Sequence, residues 1–315
     1  MLERKTDGKS NLVVLFKEGK LMSYPFSSKD YLESYRDFFK VAEKRFAIFI
    51  IRGMSKYRGD GVFTGGFRWN GSNFVRHHGR IAARVVYNKG RLVADGGAHW
   101  AIINVSELHR ISRYKDLTHK IFPKLMKRGY RIYSRPQFLR ALKKIQSQKA
   151  VFKPVDGFAG QGIIIKEKDK LMTSLRRFNG LLEEFIDTSQ GVPGLTPSYH
   201  DVRMTIMDGK LVQCYIRVPR HGSLLANVAR GGSLHEFSPR SLPRTARHIA
   251  NLVDKRFKKY GHRVYSVDVG YEGSKPFLFE INDQPGVPHK KWERFYREWH
   301  ATLLGVLLAA DRDLR

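Results

Sequence analysis

The segment Tyr265–Gly286 constrains the fold most. It holds two apolar runs, Tyr265-Ser-Val-Asp-Val-Gly-Tyr271 and Pro276-Phe-Leu-Phe-Glu-Ile-Asn282, joined by Glu272-Gly-Ser-Lys275. Runs of this kind around a short Gly-containing turn predict an antiparallel hairpin. Side chains alternate faces along a strand, so Glu280 and Asn282 point the same way. Asp268 then sits roughly opposite them. Three hard oxygen donors are thereby brought together, and Mg²⁺ holding a polyphosphate fits such a set. The residues alone fit a second role as well, as salt-bridge partners for a neighbouring arginine.

That cluster stands in a basic chain. Lys and Arg number 58 against 29 Asp and Glu, a formal net charge of +29 over 315 residues, with no long uninterrupted block. Such a charge favours anionic partners: nucleotide, acidic peptide, nucleic acid or an anionic polymer. It equally describes a solvated surface with no specific ligand. The apolar content of 42% suffices for a packed core and excludes a disordered basic tail. The length predicts one large or two to three small domains. Cys214 is the single cysteine, which excludes an internal disulfide framework and fits a cytoplasmic protein. No signal peptide is visible, and Leu12–Phe16 reads as a first strand. Ala301–Ala310 is shorter than the roughly 20 residues that span a bilayer and reads as a buried terminal helix.

The order of predicted elements is α/β with α+β character. Leu12–Phe16, Phe46–Ile51 and Ile81–Tyr87 read as strands, Asp30–Lys44 as an amphipathic helix and Gly59–Gly66 as a glycine loop. Ser106–Leu125 and Pro136–Gln146 read as helices. Ala150–Lys153 and Gly162–Lys166 read as strands around a second glycine loop, followed by a strand over Phe178–Asp187 and a surface loop over Thr188–Tyr199. Asp208-Gly-Lys210 between Val202–Met207 and Leu211–Val218 predicts a hairpin. Pro243–Tyr260 reads as a helix.

The second glycine loop, Phe152-Lys-Pro-Val-Asp-Gly-Phe-Ala-Gly-Gln-Gly162, carries Gly157, Gly160 and Gly162. Glycines let backbone N–H groups turn inward on an anion, although ordinary hairpins use them too. A Walker A loop needs Gly-Lys-Ser/Thr and a following helix, and neither is here. A dinucleotide fingerprint also needs a helix next, whereas Ile163-Ile-Ile-Lys166 is strand-like. The loop therefore joins two strands as a flap does. Lys153 beside it offers a point charge for a phosphate oxygen, or is a solvated surface lysine.

Taken in order, these pieces resemble the ATP-grasp superfamily, in the branch of glutathione synthetase and the RimK-type glutamate ligases. The matching residues are Lys115, Lys153 with its flap, Leu182-Glu-Glu-Phe-Ile186, His200-Asp-Val-Arg203, Arg217, Asn227 with Gly231-Gly232, Asp268, and Glu280-x-Asn282. They cover roughly residues 100–290. The resemblance implies an N-terminal α/β domain (1–112), a central lid subdomain (113–187) and a C-terminal subdomain with the metal site (188–315), the latter two clamping ATP. It implies an ADP-forming carboxylate–amine ligase that works through an acyl phosphate.

By that resemblance Lys115, Lys153, Gly160 and Gly162 bind phosphates. Glu183 and the backbone at Glu184 and Ile186 bind adenine, between walls from Phe152, Ile164, Phe185 and Phe279. Each of those aromatics fits ordinary core packing equally. Asp268, Glu280 and Asn282 hold two Mg²⁺ ions, with Mn²⁺ as an alternative. Arg217, Arg203 and Asn227 stabilise the acyl phosphate. Thr188–Tyr199 offers no acidic ribose contact, which leaves Asp201 as second choice. Arg220 and Arg230 stand near the presumed reaction centre.

Expected partners are small-molecule or peptide acids and amines, with an acidic polymer or protein tail as an extension that rests on charge alone. Two other readings stand beside the ligase. One is a kinase using the same clamp. The other is a nucleic-acid-binding protein, motivated by Arg76–Arg80 and Lys124–Arg131 but lacking zinc-finger spacing or an RNP-type motif.

Overall fold

Three sheets follow one another along the chain. The computed structural model describes residues 8–155, 161–192, 194–226, 231–291 and 293–314. The first sheet is built from β1 (Ser10–Phe16), β2 (Phe46–Arg52), β3 (Val62–Trp69), β4 (Phe74–Ala82), β5 (Val85–Lys89) and β6 (Ala101–Ile103), with α1 (Lys29–Ala42) between β1 and β2. Its order is β4-β3-β2-β1-β5-β6. β1 pairs in parallel with β2 and β5. A parallel strand covered on both faces reads as a continuous apolar run, which is why Leu12–Phe16 does not alternate. Leu12 and Val14 pack with Phe38 and Phe39 of α1, while Val13 and Leu15 pack with Phe63 and Trp100 on the other face.

Three expectations are corrected here. The glycine loop at Gly59–Gly66 enters β3 at Val62, with Gly65 and Gly66 (φ +67° and +146°) at a bulge against β4, where positive φ favours glycine. The strand expected over Ile81–Tyr87 is two strands, β4 ending at Ala82 and β5 starting at Val85 on the far side of β1. The helix expected over Ser106–Leu125 is α2 (Ser106–Arg113) and α3 (Lys115–Ile121), separated where Tyr114 takes an extended conformation (φ −96°, ψ 102°). That break makes Lys115 the first residue of α3.

The second sheet contains β7 (Gly129–Ile132), β8 (Lys149–Pro154), β9 (Ile164–Glu167) and β10 (Gly180–Glu184), in the order β7-β10-β8-β9, antiparallel throughout. α4 (Arg135–Lys144) and α5 (Lys168–Ser174) accompany it. Ser134 caps α4 by accepting from the Gln137 N–H, with Pro136 in the first turn. Ile132, Phe138, Phe152 and Leu182 form its core.

The third sheet is β13 (Ser233–Phe237), β12 (Lys210–Val218), β11 (Asp201–Met207), β14 (Val264–Glu272) and β15 (Lys275–Asn282), in that order and antiparallel. Asp208 and Gly209 both have positive φ (45° and 83°), as a two-residue hairpin turn that follows strand twist requires. α6 (Arg244–Phe257) lays Ile249, Val253 and Phe257 against this sheet. α7 (Glu293–Arg312) returns to the first sheet, where Trp299, Leu303 and Leu307 share a core with Leu12 and Phe38 and with Met207, Val212 and Val264 of the third sheet. Ala301–Ala310 thus lies within a largely buried terminal helix, as expected. Among the described residues no helix is long and apolar enough to cross a membrane.

Candidate active site

A cleft between the second and third sheets collects charged residues from both. Lys115, Lys153, Glu183, Arg217, Asp268 and Glu280 all reach its wall, as do Glu184 and Ile186. The register explains why. Asp201 lies opposite Arg217, Arg203 opposite Asp268, and Asp268 opposite Glu280. Residues 201 and 203 are two apart on one strand, so they share a face. Pairing then carries that face across β12, β11, β14 and β15 as one row of charges.

The row is tightly bonded. Asp268 accepts from Arg203 Nε at 2.6 Å, Arg203 Nη2 at 2.5 Å and Arg217 Nη2 at 2.7 Å. Arg217 also donates to both oxygens of Asp201. Burial opposes ionisation of Asp268, but the two guanidiniums outweigh it and hold its carboxyl below the ordinary range. Burial, with the Asp268 charge adding to it, moves Asp201 the other way despite Arg217. Two carboxylates that share cations are driven apart in this way. Asp201, second choice for a ribose contact, is therefore the partner of Arg217. The arginine reading of Asp268 is realised as well.

The donor chemistry still fits a hard cation. The donors are all oxygens, and the Glu280 side chain is 34% exposed in the cleft wall. A carboxylate offers about four lone-pair sites, of which Asp268 uses three on the arginines. Asn282 Oδ1 accepts from the Gln284 N–H at 3.0 Å. Among the described residues no three His, Cys, Asp or Glu side chains converge as a metal site.

The opposite wall has its own cation–carboxylate set. Glu183 pairs with Lys153 through Oε2, and its Oε1 lies 2.6 Å from His119 Nε2. Burial pushes the Glu183 carboxyl up, but Lys153 and His119 outweigh it and bring it down to about 2. Lys115 Nζ stands 3.9 Å from Glu280 Oε1. Glu184 is buried, its Oε1 accepting from the Gln146 N–H and its own N–H donating to Arg128 O. Its N–H and Oε1 are thus committed within the protein.

Two of the four expected walls are corrected. Phe152 and Ile164 pair across β8 and β9 and face the core of the second sheet. The alternating neighbours Val151, Ile163 and Ile165 face the cleft with Phe185 and Phe279. Phe279 crosses β14 over Gly270, where a Cβ would lie 2.1 Å from the ring. Gly162 has φ +70° beside Pro154. Gly157, Gly160, Asn227 and Arg230 lie outside the described residues.

Residues missed from sequence are His119, which carries no motif, and Lys127, which sits in the basic stretch assigned to nucleic acid. Lys127 Nζ bonds Glu272 at 2.6 Å and Phe185 O at 3.3 Å in the cleft wall. His200 accepts from the Tyr271 N–H and donates to Ser198 O. Burial keeps its imidazole neutral to lower pH than usual, as a structural link requires. Burial also raises the Cys214 thiol to about 12, so it is inert.

Residues 115–282 match the family model for the ATP-grasp domain of prokaryotic glutathione synthetase. A probable alpha-L-glutamate ligase of Shewanella pealeana is 31% identical over 143 residues, 44% of this chain and 28% of that protein. One from Halorhodospira halophila is 31% identical over 144 residues, 44% of this chain and 43% of that protein. The matches span less than half the length of these curated relatives. Among solved structures, D-alanyl-alanine synthetase A from Vibrio cholerae superposes with a TM-score of 0.64 at 11% identity, covering 96% of this chain and 98% of that one. D-alanine–D-alanine ligase from Bacillus anthracis, solved with ATP, gives 0.58 at 12% identity, covering 96% and 99%. At these identities the likeness establishes the fold, which is the ATP-grasp fold.

Proposed function

The chain belongs to the family of the prokaryotic glutathione synthetase ATP-grasp domain, and from that premise we propose that it is an ATP-dependent carboxylate–amine ligase. The observation that carries the proposal is the pairing of two walls in one cleft. Lys115 and Lys153 face Asp268 and Glu280 there, in the stretch the family model covers. Cations suited to phosphates and oxygens suited to a metal line one cleft.

A carboxylate oxygen of the acid attacks the γ-phosphorus of ATP, the bond to the bridging oxygen breaks, and ADP leaves with that electron pair. The amine then attacks the carbonyl carbon of the acyl phosphate, the C–O bond breaks, inorganic phosphate leaves, and the amine loses a proton. Lys115 and Lys153 bind the nucleotide phosphates. Arg217, held by Asp201 and Asp268, presents fixed positive charge where negative charge gathers, with Arg203 supporting it through Asp268. Glu280, Asn282 and Asp268 would hold Mg²⁺, with two ions or with Mn²⁺ in its place, and the metal neutralises phosphate oxygens when bound. Glu183 and the Glu184–Ile186 backbone bind adenine. Asn227 and Gly160 complete the set by family position. Acid and amine are small molecules or peptide ends. We place the protein in the cytoplasm because the reaction consumes ATP.

The test is Mg²⁺-dependent ADP release with acid and amine pairs. Glu280→Gln is expected to lower kcat by at least about 100-fold, since one charged metal ligand is worth several kcal/mol at the transition state. Failure of the protein to bind ATP ends the proposal. ADP release with a stable phosphorylated product and no free phosphate replaces it with a kinase.

A further inference from the structure

The outer strand of the first sheet, β4, is open along one side. β3 is its partner on the inner side, and among the described residues no strand pairs with the outer one. Such an edge presents a row of N–H and C=O groups, a template for one more strand. No residue of β4 lines the cleft.

Its side chains divide by face. Ile81 is buried in a core with Phe63, and the His77 ring packs edge-on against Phe49 at 5.2 Å. Arg76 and Arg80 lie opposite Phe67 and Thr64 in the register. They turn to the other face, as does His78 between them. Arg76, His78 and Arg80 are all exposed, and among the described residues none of the three forms an ion pair. They recur at every second residue, about 6.8 Å apart. Neither β3 nor β4 carries a carboxylate to offset them.

The positive field continues past the Phe74 end of the strand. A cavity of about 760 Å³ there is lined by Lys9, Lys44, Arg68 and Arg76. Glu43 is the one carboxylate in its lining, and it accepts from Trp69 Nε1 at 2.7 Å.

Charge on an edge keeps like edges apart. The same charge admits a strand of opposite sign, whose backbone completes the ladder and whose alternate side chains meet the cations. An added strand has the repeat of β4, so carboxylates at every second residue stay in step with Arg76, His78 and Arg80. The residues between them face Val75, which is 50% exposed and accepts an apolar neighbour.

We propose that β4 docks an acidic polypeptide partner by strand addition, with carboxylates at alternate positions against Arg76, His78 and Arg80. The surface lies apart from the cleft and needs none of the ligase chemistry.

The probe is the end-capped peptide Glu-Val-Glu-Val-Glu-Val-Glu with an uncharged fluorophore, titrated with the full chain by fluorescence anisotropy at about 0.15 M salt. It is expected to bind at least about tenfold more tightly than a peptide of the same composition with its glutamates in one block. Successive N–H groups point to opposite sides of a strand. Methylating the backbone nitrogens of either the glutamates or the valines is therefore expected to abolish binding for one set and spare it for the other. Arg76→Glu with Arg80→Glu is expected to weaken the acidic peptide at least about tenfold and to recruit Lys-Val-Lys-Val-Lys-Val-Lys in its place. The methylated peptides use the wild-type chain and decide the matter should the double variant not fold. Equal binding of the alternating and block peptides, no binding of either, or binding untouched by either methylation overturns the proposal. So does tighter binding of a single-stranded oligonucleotide that depends on the same two arginines, or self-association of the chain that depends on them.

Discussion

At Glu183 one carboxylate meets two cations in a buried wall, and the balance sets its acidity. Its folded value of about 2 lies below the ordinary 4.5. A depressed carboxyl contributes stability that is present above its unfolded value and is lost as pH falls through the folded one. The Tm advantage of wild type over Glu183→Gln is therefore expected to be constant above pH 4.5 and to shrink as pH falls toward 2. An advantage that grows on acidification would sink this account. His119 reaches Glu183 only because residue 129 has no side chain. A Cβ on Gly129 would stand 2.5 Å from His119 Cε1. Gly129→Ala is expected to cost about 1–3 kcal/mol by overpacking, and His119→Ala to suppress most of that cost. Additive losses in urea unfolding of the double variant would show that the two do not touch.

At the scale of elements, the hairpin β14–β15 and the pair α1–α7 show two kinds of constraint. The hairpin was legible because its apolar alternation, its Gly-containing turn and its polar exceptions all agree on one register, and Asp268 does face Glu280. The α1–α7 contact was not legible, because nothing local tells a terminal helix which sheet to cover. There His300 is buried among Phe38, Tyr296 and Trp299, with Nε2 3.1 Å from Ser34 Oγ. Burial lowers its value from 6.5 to about 4, with Asp37 opposing. A depressed histidine favours the fold above its unfolded value and stops doing so as pH falls through the folded one. The Tm gap between wild type and His300→Gln is thus expected to be widest above pH 6.5 and to narrow toward pH 4. A gap independent of pH across that window would remove His300 from the acid response.

Across the whole molecule the first sheet and the hairpin β14–β15 are joined by Asn104. Its Nδ2 donates to Val264 O and Asp283 O at 2.7 Å each, and its Oδ1 accepts from the Val264 N–H at 2.8 Å. All are buried hydrogen bonds, so Asn104→Ala leaves three backbone groups unsatisfied and is expected to destabilise by about 3 kcal/mol or more. Denaturant unfolding measures this, and a loss below about 1 kcal/mol would mean water replaces the amide. The cleft between the second and third sheets measures about 120 Å³, below the roughly 300–1,000 Å³ of ordinary small-molecule sites.

The sequence by itself determined the strand and helix types, the hairpin register and the order of charged residues along the chain. Those follow from local alternation, turn chemistry and spacing, which act over a few residues. Only the tertiary structure decided which charges neutralise one another. Asp268 met Arg203 and Arg217 because β11 lies between β12 and β14, and Glu183 met His119 because α3 crosses β7 at a glycine. It also turned Phe152 and Ile164 from the cleft to the core, since a strand's inward face is fixed only when a second layer covers it. Long-range pairing is set by the free energy of the whole packed chain, and no stretch of sequence carries that information alone.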